Sequence, residues 1–291
     1  MTQRLRPECI TCLLKQNLEA FPENATTDMK LEYMQRVLKL LAEAPKDFGA
    51  PVLVRNINDI QKEMFGFEKD FSEIKRYFNQ VMLEKEAEIA ENIQGAQKPL
   101  ERAIQYTMVG NYIDFGTMNN VNENQLDTLL NEVEGYRVNS TEYAALKEDL
   151  TSAQSIVYIT DNCGEIVLDK LFIKEIQRQF PKVKVTALVR GGAVLNDATM
   201  EDAVQVGLTG MTKVIGSGSN IAGTCLEMLS EEARQEIERA DVILAKGQAN
   251  FETLRMCGMN IYYIFMCKCE MFAREFQVPK FTGILVNDRH L

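Results

Sequence analysis

The spacing of apolar positions along the chain changes once, near Ser152. Upstream, Leu31–Glu43, Asn58–Phe65, Phe71–Glu91 and Leu100–Met108 carry apolar residues three and four apart, and each predicts an amphipathic helix. Asn124–Glu134 and Thr141–Leu150 predict two shorter helices, and Lys75, Arg76, Glu84, Lys85 and Glu86 are expected on solvated faces. Downstream, β-branched runs appear at Ser155–Thr160, Val183–Val189, Lys213–Ile215, Asp241–Ala245, Ile261–Met266 and Gly283–Val286. Helical stretches alternate with them at Glu165–Gln179, Met200–Val206, Gly223–Arg239, Phe251–Met256 and Lys268–Phe276. Such alternation predicts βαβ units and a mostly parallel sheet covered on both faces. The expected class is therefore α/β. A helical region over 1–148 is expected to pack on a three-layer α/β/α, Rossmann-like domain over 149–291.

Composition narrows the chemistry. The chain has 291 residues, and its net charge of −10 argues against a nucleic-acid partner. Its one histidine is His290, so neither a Ser-His-Asp triad nor a two-histidine zinc motif can be built in the body of the chain. No GxxxxGK[ST] occurs, which removes the P-loop nucleotide enzymes. Met1–Cys12 lacks the apolar core of a secretory signal, and the longest apolar run, Ile261–Cys267, is far short of the ~20 residues of a membrane helix. A cytoplasmic protein without membrane contact is expected, its seven cysteines reduced or bound to metal. Cys9-x-x-Cys12 and Cys267-x-Cys269 form a candidate second metal site for zinc or an iron–sulfur cluster, or else remain separate part-buried thiols. Cys163, Cys225 and Cys257 read as small core residues.

The polar, glycine-flanked clusters fall just after the strands, where open α/β sheets bind ligands. They are Asp161-Asn162-Cys163-Gly164-Glu165, Arg190-Gly191-Gly192 with Asn196-Asp197, Gly216-Ser217-Gly218-Ser219-Asn220, Lys246-Gly247-Gln248-Ala249-Asn250, and Cys267-Lys268-Cys269. Asp161, Asn162 and Asp197 offer the hard oxygen donors that suit a divalent cation. Taken singly, each aspartate reads as a helix N-cap. Taken with their neighbours they read as a metal site. Lys246 reads as a point charge for phosphate, with Gly247 allowing close backbone approach. Gly218, Ser219 and Asn220 form a candidate anion nest, or an ordinary flexible turn.

These motifs resemble the metal-dependent damage-control phosphatases, long catalogued as a domain of unknown function. The resemblance rests on Asp161-Asn162-x-Gly164-Glu165-Ile166-Val167-Leu168-Asp169, Arg190-Gly191-Gly192 with Asn196-Asp197-x-Thr199, Gly218 to Gly223-Thr224, Lys246-Gly247-Gln248-x-Asn250 and Lys268-Cys269. Lys69-Asp70-Phe71 with Lys75 and Asn79, and Gly110-Asn111-x-Ile113-Asp114, are similar to that family's N-terminal motifs, Phe71 standing where tyrosine is frequent. The Cys9/Cys12 pair is similar to a mainly prokaryotic, cysteine-containing branch. The resemblance implies an ion (Mg²⁺, Mn²⁺, Co²⁺ or Ni²⁺) held by Asp161, Asn162 and Asp197, and a phosphate contact from Lys246. It also implies a small phosphorylated metabolite as substrate, such as a sugar phosphate or a damaged or surplus phosphometabolite.

The expected catalytic set is Asp161, Asn162, Asp197 and Lys246. Arg190, Gly218, Ser219, Asn220, Asn250, Lys268, Asn111 and Asp114 are expected to bind substrate. Two alternatives stay open. The glycine-rich turn Gly216–Gly223 within a Rossmann-like half suits an S-adenosylmethionine-dependent carboxyl methyltransferase, and the cysteines suit a non-enzymatic metal-binding module.

Overall fold

The computed structural model describes residues 5–19, 21–45, 48–66, 70–114 and 121–291; Lys69, the first residue of one helical motif, lies outside them. Among the described residues one sheet forms from β1 (Ser155–Ile159), β2 (Lys184–Val189), β3 (Lys213–Gly216), β4 (Val242–Lys246), β5 (Ile261–Met266) and β6 (Gly283–Asn287). Its order is β3-β2-β1-β4-β5-β6, parallel throughout except that β6 runs antiparallel to β5. All the expected strands are present, and the class is the expected mixed α/β. The order reverses between β1 and β4, which creates a crevice at their carboxyl ends.

Strand alternation divides the core in two. On one face Ile156, Tyr158, Leu244 and Ile264 pack with helices α4 (Ser72–Gly95), α5 (Pro99–Gly110), α7 (Ser140–Ser152) and α8 (Glu165–Gln179). On the other, Val157, Ile159, Ile243 and Phe265 pack with α10 (Glu231–Arg239), α11 (Gln248–Leu254) and α12 (Glu270–Glu275). Burying both faces explains why the central strands read as continuous apolar runs. Two short helices, α6 (Glu123–Asn131) and α9 (Met200–Gln205), complete the first layer.

The helical half divides. Its α4, α5 and α7 are one layer of the sandwich, and the expected division at 148/149 falls inside α7. Helices α1 (Pro7–Leu18), α2 (Thr27–Glu43) and α3 (Ala50–Phe65) instead enclose a core of their own around Leu13, Tyr33, Val37, Leu53 and Ile57. The periodicity did not predict α1, whose dozen residues start on Pro7 and carry Cys9 and Cys12. The helix expected over Gly223–Arg239 is shorter: it begins at Glu231, where Ser230 caps the amide of Ala233. Residues 223–230 form a loop with a single 3-10 turn at Leu226–Met228. No helix among the described residues is long and apolar enough to cross a membrane.

Candidate active site

The loops after β1 and β2 are zipped together at the switch point. Ala198 N donates to Asp161 O (2.7 Å), Cys163 N to Asn196 O (2.8 Å) and Arg190 N to Ala198 O (2.9 Å). A single antiparallel bridge joins Asn162 to Asp197. The three expected metal ligands therefore come together, all nearly buried. Neither aspartate caps a helix: the cap of α8 is Gly164 and that of α9 is Thr199.

Arg190 lies between the carboxylates. Its Nε donates to Asp197 Oδ2 at 2.6 Å, and its Nη2 is 3.5 Å from Asp161 Oδ1. Nη1 reaches Thr224 Oγ1 (3.4 Å) and Asn250 Oδ1 (3.3 Å). Nη2 is buried without any hydrogen-bond acceptor. The Asp161 carboxylate at 3.5 Å pairs with it by charge alone, so its N–H stays free to donate to an incoming anion.

Amides hold the rest. Asn111 donates to Asp161 Oδ2 (2.9 Å) and Glu165 Oε2 (3.0 Å), and accepts from Met266 N (3.0 Å). Asn162 donates to Asp161 Oδ2 (2.8 Å) and Glu165 Oε2 (3.0 Å). Asn250, expected at the substrate, instead ties Thr160 O (3.2 Å) to Lys246 O (2.5 Å) while accepting from Arg190 and Thr224. Asp114 and Lys268 meet each other at 2.6 Å. Gly247 allows β4 to turn beneath Asp161: at φ +83°, any Cβ there would lie 1.9 Å from Asp161 Oδ2.

Lys246 is fully buried. Its ammonium donates to Thr107 O at 3.0 Å, contacts Glu165 Oε1, and lies 3.3 Å from Asp169 Oδ1. Those acceptors match the three N–H donors of the ammonium. Glu165 and Asp169 were missed as site residues. The signal was present: two acids four apart on an otherwise apolar helix face, Glu165-Ile166-Val167-Leu168-Asp169.

The charge balance is acidic. Four buried carboxylates (Asp161, Asp197, Glu165 and Asp169) face two buried cations, Arg190 and Lys246. Burial, then the charges of Asp197 and Glu165, push Asp161 well above the usual carboxylate range. Burial also raises Asp197 despite Arg190, and brings Asp169 to about 7. A divalent cation beside Asp161, Asn162 and Asp197 would relieve that repulsion, so the donor set fits one.

The loop after β3 joins from the edge of the sheet. Gly191 N donates to Ser219 O (3.0 Å) and Ser217 Oγ (3.0 Å), and Gly191 and Gly218 approach so closely that a Cβ on Gly191 would lie 2.4 Å from Gly218 N. Within the expected nest, Ser219 N turns back toward Ser217 Oγ at 3.5 Å. A cavity of about 1440 Å³ opens beyond, its lining including Arg190, Gly191, Gly192 and Asn220 but not Asp161 or Asp197.

The chain matches the damage-control phosphatase ARMT1-like domain over residues 5–283. The chain belongs to that family. It is 33% identical to a damage-control phosphatase of Pyrococcus horikoshii over 289 residues, covering 97% of each chain. It is likewise 33% identical to a damage-control phosphatase of Archaeoglobus fulgidus over 283 residues, 94% of this chain and 96% of that one. The crystal structure of the Pyrococcus horikoshii protein, described as a DUF89 family protein, superposes with a TM-score of 0.77 at 28% identity, covering 98% of this chain and 99% of the other. Membership in this family supports a phosphatase-type function.

The cysteines stand apart from this centre. Helix α1 docks on α12 through Arg6–Glu275 (3.1 Å) and Glu8–Arg274 (3.4 Å), which brings Cys9 and Cys12 toward Cys269. Burial, with Glu252 and Cys269 adding to it, pushes the Cys9 thiol up to about 11. Among the described residues no three His, Cys, Asp or Glu side chains form a metal-holding group. Cys163 is buried, as expected of a core residue, while Cys225 and Cys257 are half-buried.

Proposed function

We propose that this protein is a divalent-metal-dependent phosphatase that hydrolyses phosphomonoesters of small metabolites. The observation that carries the reading is an excess of buried carboxylate at the switch point beside a buried Arg190 N–H with no acceptor. One feature calls for a cation and the other for an anion, and a phosphoryl group on a divalent ion supplies both.

Asp161, Asn162 and Asp197 would hold the ion, which when bound polarises a phosphoryl oxygen and lowers the pKa of water. Arg190 meets the phosphoryl oxygens with Nη2 and neutralises charge that moves in the transition state. Asn111 and Asn162 fix Asp161 Oδ2 by hydrogen bonds from two sides. Asp161 acts as a ligand in this scheme, and its fixed orientation suits that role better than in-line attack. Lys246 balances Glu165 and Asp169, and keeps the wall behind Asp161 charged but ordered. The methyltransferase reading relied on Gly216–Gly223. That turn follows β3, the edge strand, rather than the crevice between β1 and β4 where a nucleotide cofactor is expected.

An aryl-phosphate assay across Mg²⁺, Mn²⁺, Co²⁺ and Ni²⁺, run beside Asp161→Ala, tests the proposal. Metal-dependent turnover is expected in the wild type, falling at least about a hundredfold in the variant. Inactivity with every metal, or full activity in the variant, overturns it.

A further inference from the structure

The cavity in front of Arg190 is larger than a small phosphate ester needs. At about 1440 Å³ it exceeds the ~300–1,000 Å³ typical of small-molecule sites. Its walls come from separate parts of the fold. Arg190 and Gly191 belong to the loop after β2, whereas Val54 and Arg55 belong to α3, in the bundle with its own core.

Arg55, on α3, lines the same cavity as Arg190. Its Nε is buried without a hydrogen-bond partner, and among the described residues it forms no ion pair. Asp59 lies one turn further along the same wall yet does not pair with it. Of the other acids in the lining, Asp202 pairs with Lys75 at 2.7 Å and Asp70 accepts from Ser72 N at 2.8 Å; Glu19, Glu23 and Glu201 line it as well, as do the cations Lys15 and Arg76. The lining also includes Val54, Phe71 and Val194, which are apolar. The cavity lining thus includes two arginines that each carry one buried nitrogen without a hydrogen-bond partner, Arg190 Nη2 and Arg55 Nε, together with apolar walls.

Resting on the phosphatase reading, we propose that the cavity selects extended phosphomonoesters bearing a second anionic group. The phosphoryl end meets Arg190, an uncharged middle lies along the apolar lining, and the distal carboxylate or phosphate meets Arg55. This assigns α1–α3 a role in specificity, since they carry the distal anion site. A monosaccharide monophosphate would fill only the inner part and leave Arg55 without a partner.

The probes are alkyl monophosphates of increasing chain length and the matched alkanediyl bisphosphates. Their affinities are measured by calorimetry on chelator-treated protein, and their kcat/KM values with the activating metal. Above a threshold length, the bisphosphate is expected to bind about tenfold or more tighter than its monophosphate partner, the increment of one charge-assisted hydrogen-bond pair. Arg55→Ala should abolish that preference, and Arg55→Lys should restore part of it. No bisphosphate advantage at any length overturns the inference, as does an Arg55→Ala variant that weakens both series equally. Failure of the underlying reading looks different: no phosphate ester is hydrolysed with any metal, whatever the affinities show.

Discussion

Gly247→Ala separates the geometry of Asp161 from general stability. The new Cβ would lie 1.9 Å from Asp161 Oδ2 and 2.1 Å from its Cγ, whereas ordinary contact begins at 3.4 Å. The carboxylate must therefore retreat by about 1.5 Å or the turn must open, and a misplacement near 1 Å costs roughly a hundredfold in rate. Backbone strain comes in addition. Gly247 has φ +83° and ψ 155°, a region essentially reserved for glycine, which costs another roughly 1–3 kcal/mol. Gly66→Ala is the control: Gly66 has φ +69°, but nothing lies within 4 Å of its Cβ position, so it tests positive-φ strain without a clash. With saturating metal and an aryl phosphate, Gly247→Ala should lose about a hundredfold in kcat, or ~2.7 kcal/mol of transition-state stabilisation. Gly66→Ala should lose stability alone. Refutation would be a folded Gly247→Ala enzyme with kcat within about twofold of wild type; Asp161 would then tolerate displacement and could not be a positioned ligand.

Lys246→Met leaves Glu165 and Asp169 buried without their shared cation, and should destabilise the protein by about 3–5 kcal/mol in denaturant melts. A near-neutral melt with only a raised KM would instead identify a lysine free to hold phosphate. Asn79→Ala removes the acceptor of Gly164 N (2.6 Å) and a donor to Asp202 (2.9 Å), both buried. A loss of about 3 kcal/mol, or roughly 6–12 °C in Tm, is expected by calorimetry. Asp241 accepts from Gln154 N, Ser155 N and Ser155 Oγ, and those bonds, backbone ones first, hold its carboxyl below its ordinary 3.8. Its contribution is thus complete above about 3.8 and lost as pH falls through the lower folded value, so the stability gap between wild type and Asp241→Asn should close in acid melts.

The sheet was legible because burial on both faces leaves the central strands as short apolar runs, and all six strands fall within a residue or two of expectation. Helix α1 was not, since its apolar face packs within a small separate core and its cysteines invited a ligand reading. Residues 223–230 mimicked a helix because Cys225, Leu226 and Leu229 are spaced like one, but the chain makes only a 3-10 turn at Leu226–Met228 before Ser230 caps α10. In the candidate site, position was readable and partnership was not. Asp161, Asn162, Arg190 and Asp197 announce themselves by following strands. That Lys246 reaches a carbonyl 139 residues away, at Thr107, depends on how α5 crosses the sheet. Asp114 and Lys268, two expected ligand-binding groups, are paired with each other by the fold, which their separation in sequence does not reveal.

What the site uses to fix its acids is informative in itself. Asp161 accepts from two amides, Asn111 and Asn162, and its nearest guanidinium nitrogen is 3.5 Å away. Asn79 secures the Gly164 turn and Asn196 the partner loop, again with neutral groups. Lysines at these positions would orient the carboxylates equally well, but would cancel their charge and depress their pKa. At Asp161 amides orient without neutralising, whereas Asp197 meets Arg190, and Glu165 and Asp169 meet Lys246. The cost appears in Asp161, pushed well up by burial and by Asp197 and Glu165, and in Asp197, raised although Arg190 touches it. Each unit of such a rise is about 1.4 kcal/mol of unrelieved charge. Such unrelieved charge costs stability, which accords with the proposed role of these carboxylates in holding a cation.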